Sequence, residues 1–112
     1  MEEQIIKLND YINKYYKTDL DGVTLNELGK NISALLYYLE SVRSEIHNEF
    51  QIQIDNLIDE GNSVARATNK THVLYPAMYQ LRHLMKAGYE VLGMIRTNIS
   101  FIKQEMNNNL QN

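Results

Sequence analysis

Apolar residues along this chain recur at alternating spacings of three and four, which is the period of one face of an α-helix. In the first segment the series is Met1, Ile5, Leu8, Ile12 and Tyr15. A turn-forming cluster at 18–22, TDLDG, follows this series. The pattern therefore predicts a first amphipathic helix over about residues 2–17.

A second and longer series begins after Thr24, whose hydroxyl can form a capping box with Glu27. Gly61 supplies a stop signal. We expect a helix over about 25–60, which at 1.5 Å per residue is roughly 54 Å long. Its apolar positions are Leu25, Leu28, Ile32, Leu35, Leu39, Val42, Ile46, Phe50, Ile54 and Leu57.

The third series follows a predicted loop at 61–70, with Thr71 as a cap and Pro76 in the first turn. It predicts a helix over about 72–106. The Asn-rich segment 107–112 has no comparable pattern and is expected to be a disordered tail. The apolar positions of the third helix are Leu74, Met78, Leu81, Met85, Gly88, Leu92, Ile95, Ile99, Ile102 and Met106.

These elements predict an all-α fold, in which a short N-terminal helix precedes a long, coiled-coil-like antiparallel hairpin, as one domain over 1–106. Leu84, Val91, Met94 and Phe101 widen the apolar face of the third helix beyond what one neighbour covers. We interpret the excess as an interface between copies of the chain, whereas the alternative is a wide core face that the first helix closes. The candidate interface residues are Leu84, Gly88, Val91, Leu92, Ile95, Ile99 and Ile102.

Composition argues against several classes of function. The chain has no cysteine, and its apolar runs fall far short of the roughly 20 residues that span a bilayer. No Gly-rich phosphate loop, nucleophile elbow or His-Glu-x-x-His motif occurs, and none of the three histidines follows a Glu by three residues. We expect a soluble, cytoplasmic protein with no enzymatic activity, cofactor, metal, membrane or small-molecule substrate.

Charge divides the chain into two unlike parts. Residues 1–60 carry five Lys/Arg against twelve Asp/Glu, and residues 61–112 carry six against two. Within the basic part, cations and tyrosines recur at seven-residue spacing along one face of the third helix. This pattern is typical of a site for single-stranded nucleic acid, in which cations neutralise phosphates and aromatic rings stack on bases. The candidate nucleic-acid-binding residues are Arg66, Lys70, Tyr75, Tyr79, Arg82, Lys86, Tyr89, Arg96 and Lys103.

The alternative role for these cations is ion pairing within the protein. Flanking positions of paired helices commonly exchange opposite charges, and the second helix offers acids for this purpose. These are Glu40, Glu45, Glu49, Asp55 and Asp59.

Residues 24–106 resemble the UvsY recombination mediators of T4-type bacteriophages. The resemblance rests on the capped long helix, the linker GNSVAR at 61–66 and the ending MIRTNISFIK at 94–103. It implies a ring-forming helical protein that holds single-stranded DNA and helps load a recombinase. The basic segment that the family has before the linker is missing from 51–61, which shifts the expected DNA contacts to Arg66, Lys70, Arg82 and Lys86.

We therefore expect a phage-type helical homo-oligomer that binds single-stranded DNA in recombination or replication. The alternative is an acidic protein-binding module that inhibits a basic, nucleic-acid-binding host or defence protein, as anti-CRISPR proteins do. The two hypotheses use opposite parts of the charge division.

Overall fold

The computed structural model describes residues 1–17, 19–74 and 77–111, without the side chains of Leu74, Ala77 and Gln111. These residues form four helices and no strand: α1 (Glu2–Lys17), α2 (Gly22–Asp59), α3 (Val64–Leu74) and α4 (Ala77–Gln111). The molecule is elongated, with extents of 74 × 25 × 19 Å. The predicted all-α class is confirmed.

The start of α2 is set by Asp21 rather than by Thr24. The Asp21 carboxylate accepts a hydrogen bond from the Thr24 backbone N–H at 2.7 Å, and the Asp21 backbone is extended. This is the geometry of an N-cap, which satisfies an otherwise unpaired donor of the first turn. The helix therefore begins at Gly22, three residues before the predicted start.

The end of α2 depends on the conformational freedom of Gly61. Gly61 has a φ of 102°, in the left-handed region that other residues rarely adopt. The backbone N–H groups of Gly61 and Asn62 donate to the carbonyls of Ile58 and Leu57. These bonds satisfy the last free carbonyls, so the helix stops where the glycine predicted.

The predicted loop at 61–70 is wrong for most of its length, because α3 begins at Val64. The Ser63 hydroxyl caps α3 by accepting the Arg66 N–H at 3.2 Å. Thr71 is fully buried inside α3, where its hydroxyl donates to the Ala67 carbonyl, and is not a cap. Pro76, the predicted first-turn residue, lies outside the described residues.

The predicted disordered tail is also wrong where the structure describes it. The helix α4 continues to Gln111.

The main core lies between α1, the first half of α2, and α4. The residues that lie against two glycines show the register between the helices. Gly29 of α2 lies against Ile95 of α4, and Gly88 of α4 lies against Leu36 of α2 and Leu8 of α1. Numbers that rise in one helix fall in the other, so α2 and α4 run antiparallel. The buried residues of this core are Leu8, Ile12, Leu25, Leu28, Ile32, Leu36, Leu39, Leu81, Met85, Val91, Leu92 and Ile95.

This packing corrects the candidate interface between copies. Gly88, Val91, Leu92 and Ile95 are buried inside the chain, and Leu84, Ile99 and Ile102 pack partly buried against the same core. The wide apolar face of α4 is closed by α1, which is the alternative that the sequence left open.

A second, smaller core joins the end of α2 to α3. Its buried residues are Phe50, Ile54 and Ala67, with Leu57, Ile58 and Met78 partly buried against them. The two cores share no residue, so the α2–α3 end of the molecule is held by its own contacts.

Two glycines of α4 provide a matched pair for testing the helix packing. A methyl group added at Gly88 would lie 3.1 Å from Leu36 Cδ2 and 3.3 Å from Leu8 Cδ1, whereas one added at Gly93 has nothing within 4 Å. Gly93→Ala should therefore stabilise the protein by about 1 kcal/mol through helix propensity. Gly88→Ala should be at least about 1 kcal/mol less stable than Gly93→Ala because of overpacking. Urea unfolding measures both, and equal stabilities would contradict the close approach.

The N-cap of α2 predicts a pH dependence. Hydrogen bonds from Thr24 lower the pKa of the Asp21 carboxyl. The ionised carboxylate therefore stabilises the folded protein fully above the unfolded-state pKa of about 3.9. This stabilisation is lost as the pH falls through the lowered folded-state pKa. Asp21→Asn keeps a capping acceptor but does not titrate. Below about pH 4 the stability of the wild type should fall more steeply than that of Asp21→Asn in urea unfolding, and parallel curves would show that the cap does not contribute.

Candidate nucleic-acid interface

The cationic and aromatic residues predicted on the third helix lie at the surface of α4. We call Tyr79, Arg82, Lys86 and Tyr89 the α4 stripe; all four side chains are exposed. Their spacings of three and four place them along one face, beside the buried positions Leu81, Met85 and Leu92. The stripe therefore faces solvent without leaving the core unfilled.

The stripe forms one wall of a groove between α2 and α4, with a volume of about 660 Å³. We call it the α2–α4 groove. The opposite wall comes from α2 and carries one acid and one cation, Glu40 and Arg43. The remaining lining residues are His83, Met85 and Glu90 of α4.

Three residues at the centre of the groove are linked to each other. The Tyr89 hydroxyl donates to Glu40 Oε1 at 3.0 Å, and Arg43 Nε lies 3.5 Å from Glu40 Oε2. Burial, followed by the hydrogen bond and the negative charge of Glu40, raises the pKa of the Tyr89 phenol. Tyr89 is nevertheless 47% exposed, so its ring remains accessible from the groove.

A polar recess of about 390 Å³ adjoins the groove on the side towards the α2–α3 end. Arg43 and Arg82 line both the groove and this recess. The other residues of the polar recess are Ser44, His47, Asn48 and Met78. The two arginines therefore stand, one on each helix, where the two spaces meet.

The orientation of Tyr79 is fixed by its contact with His72 of α3. Its hydroxyl hydrogen-bonds to Nδ1 of His72, and the two rings stack at a centroid distance of 5.3 Å. His72 in turn makes an edge contact with Phe50, at 5.1 Å. One face of Tyr79 is thus occupied, and Tyr89 is the more accessible aromatic platform.

The alternative that the stripe pairs with acids of α2 receives little support from the geometry. In the described part of the chain, the ion pairs are Lys7–Glu3 and Arg43–Glu40, each within one helix. No ion pair joins Arg82 or Lys86 to an acid of α2 there. The Tyr89–Glu40 hydrogen bond is the contact that crosses from the stripe to one of those acids.

The remaining candidates are not brought together with the stripe. Arg66 and Lys70 are exposed on α3, and the Lys70 ammonium donates to Asn62 Oδ1 at 3.1 Å. Arg96 lines a separate recess with Lys30, and Lys103 lies beyond it near the end of α4. Tyr75 lies outside the described residues.

Arg43 is the functional candidate that the sequence did not indicate. It belongs to the acidic half of the chain, and it faces the stripe only because of the register between α2 and α4. Its single signal in the sequence is the i, i+3 spacing from Glu40, which predicts an ordinary surface pair within a helix.

Within 1–17, 19–74 and 77–111, no three His, Asp or Glu side chains are grouped to hold a metal ion. No helix of those segments has the length and hydropathy to cross a lipid bilayer. Comparison with models of protein families, with curated protein sequences and with solved structures finds no significant match.

Proposed function

We propose that this protein binds single-stranded DNA in the α2–α4 groove. The observation that carries the proposal is that the α4 stripe lines a groove together with Arg43. The stripe is exposed, and its one contact with an acid of α2 among the described residues is the Tyr89–Glu40 hydrogen bond. The groove has three cations, Arg43, Arg82 and Lys86, against two acids, Glu40 and Glu90, so its formal charge is positive although the whole chain has a net charge of -3.

The chemistry of the groove suits an unpaired strand better than a duplex. Cations neutralise phosphates whatever the sequence, and an accessible aromatic ring stacks on a base whose faces are free. In a duplex the faces of the bases are already stacked on one another, so Tyr89 would have no partner. The groove therefore favours single strands with little dependence on their sequence.

The acidic surface supports a second candidate function. Every Asp and Glu of residues 1–60 except Glu40 is exposed, and of these exposed acids only Glu3 belongs to an ion pair in the described residues. A basic partner protein would find this surface unneutralised. This function requires no DNA binding, so the failure of the protein to bind an oligonucleotide at low salt would favour it over the groove.

We also propose that copies of the chain associate through the end of α4. Gly22, the first residue of α2, lies opposite Ile102, so α4 continues beyond the start of α2. The apolar residues Met106 and Leu110 are exposed on this extension, and Phe101 is exposed just before it. This interface replaces the one that the sequence suggested.

The recombination setting rests on the family resemblance and stays a prediction.

Replacing Arg82 and Lys86 with Gln should weaken binding to oligonucleotides of different sequence by similar factors. The slope of log K against log salt should decrease by about 1.4, since each phosphate contact with a single strand contributes about 0.7. Tyr89→Ala should cost about 1–3 kcal/mol of stacking. Fluorescence anisotropy across a salt series measures these effects. The double variant of Lys7 and Lys17 to Gln removes the same charge from α1 and is the control; wild-type binding by the stripe variants would exclude the groove.

The assembly proposal predicts that light scattering gives a mass at least twice the 13.1 kDa of the chain. Met106→Glu should reduce this mass to that of the monomer, because an apolar contact would receive an unpaired charge. Ile52, 60% exposed like Met106 but located on α2, provides the control variant Ile52→Glu. A 13.1 kDa wild type at micromolar concentration, or equal effects of the two variants, would contradict assembly through α4.

A further inference from the structure

The α2–α4 groove and the polar recess meet at two arginines. Arg43 of α2 and Arg82 of α4 line both spaces. On one side are the aromatic and apolar residues Tyr79, Met85 and Tyr89, and on the other are Ser44, His47 and Asn48. A strand that passes from one space to the other must cross between the two arginines.

Glu40 lies beside this crossing point, where it contacts both Tyr89 and Arg43. One carboxylate oxygen accepts from the Tyr89 hydroxyl, and the other pairs with Arg43. The Glu40 and Arg43 side chains are 40% and 43% exposed, so solvent and ligands reach the pair. Exposed pairs of this kind are weak, and a competing anion displaces them readily.

We propose that Arg43 and Arg82 bind one phosphate of the DNA strand, and that Glu40 is an internal anion which this phosphate displaces from Arg43. This inference rests on the proposed DNA-binding function and adds the position and competition of a phosphate. The base on one side of this phosphate lies in the aromatic space beside Tyr89. The neighbouring nucleotide lies at His47 and Asn48.

Glu40 differs from the other acids of α2 because it lines the groove and pairs with Arg43. Guanidinium groups recognise phosphate through paired, charge-assisted hydrogen bonds, which are stronger than a single offset contact with a carboxylate. Glu40 therefore holds Arg43 in the groove when no strand is bound and yields to phosphate when one is. Removing its charge leaves Arg43 available, so the loss of this acid strengthens binding.

The test measures the affinity of the full-length protein for a fluorescein-labelled oligothymidylate of about 12 nucleotides by anisotropy. Arg43→Gln should weaken binding about tenfold, as expected for the loss of a charged hydrogen-bonding group. Glu40→Gln should strengthen it about fivefold. The Gln side chain still accepts a hydrogen bond from Tyr89, so its effect reports the charge. The gain should decline as salt is raised, because screening weakens the competition that Glu40 provides.

Two matched controls change the same charges elsewhere. Lys17→Gln removes an exposed cation from α1, and Glu45→Gln removes an exposed acid of α2 that does not line the groove. Both should bind as wild type does. Circular dichroism establishes that all four variants keep the helical fold, since each changed side chain is in contact with solvent.

The outcomes separate this inference from the proposed function. If Arg43→Gln and Glu40→Gln bind as wild type while the Arg82 and Lys86 double variant is weakened, the phosphate position is overturned and the groove stands. If Glu40→Gln weakens binding, Glu40 supports the site and the competition is overturned. If the wild type binds no oligonucleotide at low salt, the proposed function and this inference both fall.

Discussion

The close approach of α1, α2 and α4 at Gly88 is the contact on which the rest of the molecule depends. Leu36 of α2 and Leu8 of α1, both almost completely buried, meet α4 where it has no side chain. A Cβ atom there would lie 3.1–3.3 Å from the ends of these two side chains, so both would have to shift within a closely packed core. Through this contact α1 covers the wide apolar face of α4, and the chain completes its main core without a second copy.

The groove is a consequence of the same register. Tyr89 directly follows Gly88 and points away from the core, so the contact that fixes Gly88 against Leu36 also places Tyr89 beside Glu40. Arg43 is about one turn further along α2, where it lines the groove and the polar recess together with Arg82 of α4. The polar site is thus positioned by apolar packing, since no ion pair across the two helices holds it in the described chain.

The sequence predicted the elements with long apolar series and missed those without one. The bounds of α1 agree, because its series and its turn signals are both clear. The helix α3 was missed because its buried residues are Ala67 and Thr71, which carry no strong hydrophobic signal.

The site was predicted in part for a similar reason. The exposed stripe follows from spacing along one helix, whereas Arg43 depends on the register between two helices, which spacing within either helix does not determine. The interface residues were misassigned because an apolar face looks the same whether α1 or another copy covers it.

The separation of the two cores has a consequence for local unfolding. Among the described residues, the smaller core contains three buried apolar side chains against twelve in the main core, so less apolar burial there resists opening of α3 and the end of α2. Met78, which lines the polar recess, packs against the smaller core, while Met85, which lines the groove, belongs to the larger one. We therefore expect the α3 end to open more readily than the three-helix core, with faster exchange of its backbone amides with solvent. Such opening would remove the packing of Met78 in the polar recess, while Met85, which lines the groove with Tyr89, would keep its packing.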